Sequence, residues 1–293
     1  MRTRLVRSLL CAALALPLAA QAPAPAKPAP VRLKPWRVSP ACTITQDVGI
    51  DQIKLSFSRP AVKGRKIWGG LVPYGEVWRA GANAATVLTL SHDAKVAGKD
   101  VPAGSYAFFA IPGEKQWTLI LNRKADQWGA YDYKAADDQL RWEATPSQGP
   151  YEEWLDYRLR PTAPGIVEVE LAWEHLRVAF PVAMDVKAAY WAQLEDTLKR
   201  APETDWVPWY QAAAYCQSQG IEPRKAQAWI ETSLKAGESF WNHETAARIY
   251  RDAKRMPEAL AHLQKAIDLS RGKAPKEYTE NLEKELADWK AAK

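Results

Sequence analysis

The period of the apolar residues changes once along this chain, and that change constrains the fold more than any other feature. From about Ser39 to Asp185 apolar side chains alternate at period two, broken by clusters of Gly, Pro, Asn and Asp. After Asp185 they recur at helical spacing, as in Tyr190, Trp191, Leu194 and Leu198, up to a stop near Ala201-Pro202. Period two calls for strands and period 3.6 for helices. The expectation is an all-β domain over residues 39–185 followed by an all-α domain over residues 186–293.

In the first part the alternation is regular enough to assign faces. Ile53, Leu55 and Phe57 point toward a core, and Lys54, Ser56 and Ser58 point to water. The same holds for Leu140, Trp142 and Ala144, for Leu155, Tyr157 and Leu159, for Val167, Val169 and Leu171, and for Leu176, Val178 and Phe180. Each set reads as a half-buried antiparallel strand, which places Glu143, Glu168 and Glu170 on solvent faces. Val87 to Leu90 and Tyr106 to Ile111 are apolar at nearly every position and so need cover on both faces. The run from Val96 through Ala97-Gly98 to Val101 marks a hairpin tip. About ten short strands result, and they fit a two-sheet sandwich or jelly roll, in which stacking the sheets removes their apolar faces from water.

The second part repeats itself. Ala212 to Tyr215 matches Ala246 to Tyr250, and Arg224 to Ile230 matches Pro257 to Leu263, a period of about 34 residues that characterises tetratricopeptide-like helical hairpins. Ala213, Ala226, Ala247 and Ala259 sit where helix axes should approach closely. Two hairpins cannot bury their own apolar stripes, so they are expected to lean on flanking helices at 186–200 and 276–290 or on the β domain. Trp206, Trp209, Trp229 and Trp241 exceed what two small hairpins usually bury, and the expectation for them is a core between the two domains. A protein partner through this region is left open.

Arg2, Arg4 and Arg7 precede the apolar run Ser8 to Ala20, the pattern of a secretory signal peptide over residues 1–22. The run meets Gln21 and then prolines short of the roughly 20 apolar residues that a bilayer core requires, so no membrane span is expected in the mature chain. Its expected location is the periplasm or the exterior. Residues 23–38 form a Pro/Ala-rich tether that favours extended polyproline II. The formal charge is +6, three units of which leave with the leader arginines. No Lys/Arg stretch is interleaved with stacking aromatics, and nucleic acid is not expected as a partner. Cys42 and Cys216 remain after processing, either as an interdomain disulfide or as two small buried side chains.

The run Gly64-Arg65-Lys66-Ile67-Trp68-Gly69-Gly70-Leu71-Val72-Pro73-Tyr74-Gly75-Glu76-Val77-Trp78-Arg79-Ala80-Gly81-Ala82-Asn83 resembles the bacterial exported family catalogued as domain of unknown function 2911. Further matches are Ser39-Pro40, Gln46 to Gly49, Val101 to Tyr106, Trp117 to Asn122 and Gln127 to Asp132, and the resemblance covers about residues 39–185. It implies a secreted β-rich domain with no established activity. One departure stands out: an acidic residue commonly follows the Gly-Ala-Asn in the family pattern, where this chain has Ala84.

Gly69 to Asn83 lacks strand alternation and carries Gly, Pro, Tyr, Trp, Arg and Asn, a costly loop to order unless something packs it. As a ligand site, Arg79 and Asn83 would offer a fork of donors to a carboxylate, phosphate or sugar hydroxyl, with Trp78 or Tyr74 as an apolar platform. Asn122, Trp128, Tyr131 and Asp132 form a second candidate wall. The competing reading makes Trp78 and Trp128 core, has Arg79 satisfy loop carbonyls, and leaves the glycines to permit tight turns.

Catalytic templates fail on spacing. Ser91-His92-Asp93 spells a triad in letters, but contiguous strand residues alternate faces and cannot form a relay. There is no G-x-S-x-G elbow, and His243-Glu244 lacks the second histidine of a zinc-protease helix. His92, His175 and His262 are far apart in sequence, so no metal or other cofactor is expected, and His243 reads as a helix-start residue. The best-supported function is non-catalytic binding of a small molecule, glycan or surface polymer by the β domain, with the helices as a docking module. A hydrolase of glycans or esters using a site near Arg79, Asn83 and Asp132, with no catalytic residue assigned, and a structural envelope scaffold remain as alternatives.

Overall fold

The computed structural model describes residues 36–291; the expected leader and nearly all of the tether lie outside them. The described part before Asp185 contains ten strands: β1 (Ala41–Val48), β2 (Asp51–Ser58), β3 (Thr86–Leu90), β4 (Ala94–Val96), β5 (Lys99–Val101), β6 (Gly104–Ile111), β7 (Trp117–Asn122), β8 (Asp138–Ala144), β9 (Ser147–Ala163) and β10 (Ile166–Met184). They form two antiparallel sheets, in the orders β1-β2-β3-β6-β7-β8 and β5-β4-β10-β9. One core joins them, drawing Ile53, Leu55, Leu88, Phe108 and Leu119 from the first sheet and Val167, Val169, Leu171, Val178 and Phe180 from the second.

The alternation reading holds along β2 from Ile53 to Phe57, with Ile53 and Leu55 exposed to 1% or less, but fails at Ser58, which alternation places in water and which is 7% exposed where the strand end is covered. β6 is covered on both faces, as its continuous apolar run implies, whereas β3, expected to be covered alike, alternates: Leu88 and Leu90 are buried and Val87 and Thr89 half-buried. Phe108 enters the main core, while Ala107 and Phe109 enter a second cluster with Ile120, packed by Val77, Ala130 and Tyr133. The expected hairpin is β4-β5, turned by Ala97 and Gly98 at φ 48° and 80°.

Two further readings change. The sets 167–171 and 176–180 are not separate strands but one long β10, interrupted where the register shifts between Ala172 and Leu176 and Glu174 adopts φ 51°. A bulge lets the strand continue while re-aiming its side chains. Secondly, Glu170 is not solvated: it is 7% exposed, with Oε1 3.1 Å from Arg158 Nη1 and Oε2 2.8 Å from Arg160 Nη2. Alternation identifies the face of a strand, but long arginines on the neighbouring β9 can cover that face.

Six helices follow: α1 (Val186–Arg200), α2 (Trp206–Gln219), α3 (Pro223–Ala236), α4 (Phe240–Asp252), α5 (Met256–Ser270) and α6 (Lys276–Ala291). Their starts are written in the sequence. Asp185 and Asp205 accept backbone N–H groups, Ser239 forms a capping box with Asn242, and prolines open α3 and α5. The four marked alanines are all buried to 2% or less, so the helices approach closely there. The hairpins lean on α6, through Leu282, Leu286 and Trp289, and on Trp191 of α1. Val186 is the α1 residue packed against the β core, where a Cβ on Gly49 would meet it at 3.0 Å.

The expectation of an interdomain tryptophan core is corrected. Trp229 packs on Trp191, Trp206 on Tyr210, and Trp241 on Phe240 and Tyr278, so the partners are helical. Cys42 and Cys216 are free thiols, one packed against the β core and the other wholly buried in the helical core. Among the described residues no helix is long and apolar enough to cross a membrane.

Candidate functional site

The irregular segment between β2 and β3 is tied down by backbone bonds along its length. Val62 N–H donates to Glu153 O at 2.8 Å, Gly75 N–H to Pro112 O at 2.8 Å, and Trp78 exchanges bonds with Ala110 at 2.8 and 2.9 Å. Within it, Gly69 N–H returns to Val72 O and Val72 N–H to Ile67 O, both at 2.9 Å. The glycines have steric causes: a Cβ on Gly70 would lie 2.5 Å from Lys66 O, and Gly69 holds φ +69° with the Tyr74 ring against it.

This path delivers Trp78 to the interior. It is 8% exposed, stacked on Trp173 and edge-on to Trp68, and its indole N–H is taken by Gly81 O at 3.2 Å. Trp78 therefore cannot serve as a platform, because the stacking that the sequence reserved for a ligand is given to other tryptophans. Asn122 is likewise interior, at 0% exposure. Its amide donates to Lys134 O at 3.1 Å and Asp138 Oδ1 at 2.9 Å, and its oxygen accepts from Lys124 N–H and Gln127 Nε2, both at 3.1 Å. Every bond this amide can make at the wall is spent on holding the loop 123–138.

The remaining candidates reach the surface. Tyr131 is 86% exposed and Trp128 52%, so the reading of Trp128 as core is also corrected. Their loop lies against the family run: Ala84 forms a β-bridge with Trp128, Gly129 N–H donates to Asn83 O at 3.1 Å, and Ala85 N–H to Gln127 O at 3.0 Å. Asn83, at φ 61°, directs its amide to Ser39 O at 3.1 Å. Asp132 is exposed, and Tyr74 is exposed over Gly69. The two candidate walls thus meet along Asn83-Ala84 and Trp128-Gly129.

Arg79 lies at this junction under electrostatic strain. Burial of the guanidinium holds it below the usual arginine range, partly offset by the neighbouring Tyr131. Its Nε is enclosed and makes no hydrogen bond, so Arg79 does not satisfy loop carbonyls through that nitrogen. Among the described residues it has no carboxylate in salt-bridge contact. Thr86, and not Arg79, bonds the strained Ala80 carbonyl, together with the Tyr157 hydroxyl at 2.7 Å. Ala84, where the family pattern commonly has an acid, is exposed beside Trp128.

The catalytic letters disperse. Ser91 Oγ accepts from Gln52 N–H at 2.8 Å, Asp93 from Ala103 N–H at 2.7 Å, and His92 faces the buried Asp51 at 2.5 Å. One pairing escaped the sequence reading: His243 and His262, on α4 and α5, lie with their Nδ1 atoms 2.8 Å apart. The repeat implies that α4 and α5 pair as a hairpin, but nothing in the periodicity marks His243 or His262 as a contact between them.

No curated protein and no solved structure matches the chain. A family model does, over the span that the Trp68 to Asn83 run and its supporting strands occupy. Residues 39–182 match the model of the family described as protein of unknown function DUF2911.

Proposed function

We propose that the β domain is a non-catalytic binding module for a ligand carrying an anionic group, such as an acidic glycan or a carboxylated or phosphorylated small molecule. The observation that carries this reading is Arg79: a partly buried guanidinium with an enclosed, unbonded Nε, beside Tyr131, whose ring is 86% exposed. A cation taken from water without a counter-charge is costly, and a bound anion would restore what burial removed. The exposed Tyr131 ring beside it supplies flat apolar area for the uncharged body of the ligand. The helical region is the docking half of the reading, and the expected site of action is the periplasm or the cell exterior.

The test is a thermal-shift and calorimetric titration of the mature chain with an oligouronate, inorganic phosphate and a neutral oligosaccharide. The expected result is saturable stabilisation by the oligouronate or phosphate, weakened by salt and lost in Arg79→Met and Tyr131→Ala. Equal binding by Arg79→Met, or binding of the neutral sugar alone, overturns the assignment.

A further inference from the structure

His243 and His262 stand 19 positions apart and meet where α4 packs on α5, with Nδ1 of each 2.8 Å from the other. Their ring centroids are 5.0 Å apart. His243 is 5% exposed, and its Nε2 lies 3.6 Å from Glu238 Oε1. Glu238 is itself held by Lys265 of α5 at 3.1 Å. His262 lies against Tyr250 of α4, with centroids 5.3 Å apart and planes at 13°, and Glu258 of α5 faces it electrostatically. Arg255 covers the Tyr250 ring, and Glu231 of α3 accepts its hydroxyl at 3.2 Å.

Two ring nitrogens at this separation share one hydrogen, so one imidazole donates and the other accepts. Glu238 biases the arrangement through its charge alone, since at 3.6 Å it is beyond hydrogen-bond reach of His243 Nε2, which is buried without a hydrogen-bond partner. Its carboxylate favours N–H at Nε2 of His243, which leaves Nδ1 of that ring as the acceptor and makes His262 the donor. A first added proton can enter at Nε2 of His262 with the bond intact. A second has only Nδ1 of His243 left, where it sets two N–H groups and two like charges against each other.

We propose that this pair is an acid-sensitive latch between α4 and α5: a single shared hydrogen holds the hairpin closed at neutral pH, and the second proton opens it. Burial, and then the His262 charge, push His243 down to about 4, against the opposing Glu238; burial also pushes His262 down, against Glu258. The unfolded rings titrate near ~6.5, so between that value and about 4 the unfolded chain binds protons that the folded one refuses. The stability contributed by the pair is therefore whole above about pH 6.5 and lost as pH falls toward 4. Tyr250 connects the latch to Glu231, which also accepts from Gln227 at 2.9 Å. Gln227 lines a groove of about 500 Å³ between α2, α3 and α4, so opening would reshape that groove.

The test is hydrogen exchange on the full chain at pH 7.5, 6 and 4.5, corrected for intrinsic rates, with His262→Gln as the variant and ring ¹⁵N shifts as a second readout on the parent. The expected result is that segments 240–252 and 256–270 lose protection by about tenfold or more at pH 4.5 while β10 does not, with at most half that loss in His262→Gln. Unchanged protection at pH 4.5, an equal loss in the variant, or ring shifts showing both imidazoles charged at pH 6 in the folded chain overturns the proposal. If His262→Gln does not fold, the ring shifts decide alone.

Discussion

Trp78 and Trp173 stack with ring centroids 6.0 Å apart and planes at 19°, joining the irregular family run to the bulged strand β10. Trp68 stands edge-on to both, at 5.8 and 5.7 Å, and Trp117 closes the group at 4.9 Å from Trp68. The loop that carries Arg79 is thus anchored one residue away by the largest side chains in the core. Trp173→Ala should cost about 3–5 kcal/mol, as deletion of a fully buried aromatic does. Trp173→Phe should cost well under half of that, since the Trp173 indole N–H is buried without an acceptor and its removal strands no partner. Guanidinium denaturation of both variants checks this; equal costs would mean that the N–H is bonded after all.

Arg79 is expected to behave in the opposite way. Methionine keeps the aliphatic stem and removes a charge that burial disfavours. Arg79→Met should therefore unfold within about 0.5 kcal/mol of the parent while losing the anion response. A loss of stability larger than about 2 kcal/mol would make Arg79 a structural residue and the binding reading untenable.

Asn122 couples fold to site. Its amide holds both ends of loop 123–138, which presents Trp128 and Tyr131. Asn122→Ala leaves several buried groups without partners, each worth about 1–3 kcal/mol, so a loss of about 2–4 kcal/mol is expected. Ligand affinity should fall with it, because the loop is no longer pre-ordered. Calorimetry at a temperature where the variant remains folded separates the two effects, and unchanged affinity would place the ligand elsewhere.

The strands, the two repeats and the family run were legible because each rests on local chemistry: alternation at β2 from Ile53 to Phe57, and close-packed alanines at 213 and 247. What periodicity could not supply is what covers a face. Trp78 and Trp128 look alike in sequence, yet one is enclosed by three tryptophans from separate elements and the other, bridged to Ala84 through its backbone, is 52% exposed, which only tertiary pairing decides. Glu170 and Asn122 were misjudged for the same reason. A polar residue on a strand reads as solvated until the neighbouring strand brings arginines, or the following loop brings carbonyls, to meet it.

That covering has a measurable consequence on β10. Glu168 and Glu170 both contact Arg160, at 2.7 and 2.8 Å, but Glu168 is 35% exposed at its side chain and Glu170 9%. Water screens the first contact, which should contribute less than about 1 kcal/mol. The second sits in a network in which Arg158 also reaches Glu152, and Arg177, 6% exposed at its side chain, lies 3.5 Å from Glu152. Removing Glu170 leaves Arg158 and Arg160 facing each other without their shared acceptor, while their own partial exposure lets water relieve part of the cost. Glu170→Ala should therefore lose about 2 kcal/mol, and Glu168→Ala less than about 0.5. The difference should persist in 1 M salt, since a covered carboxylate is screened far less than an exposed one, and equal losses in the two variants would show that Glu170 is solvated as its alternation first suggested.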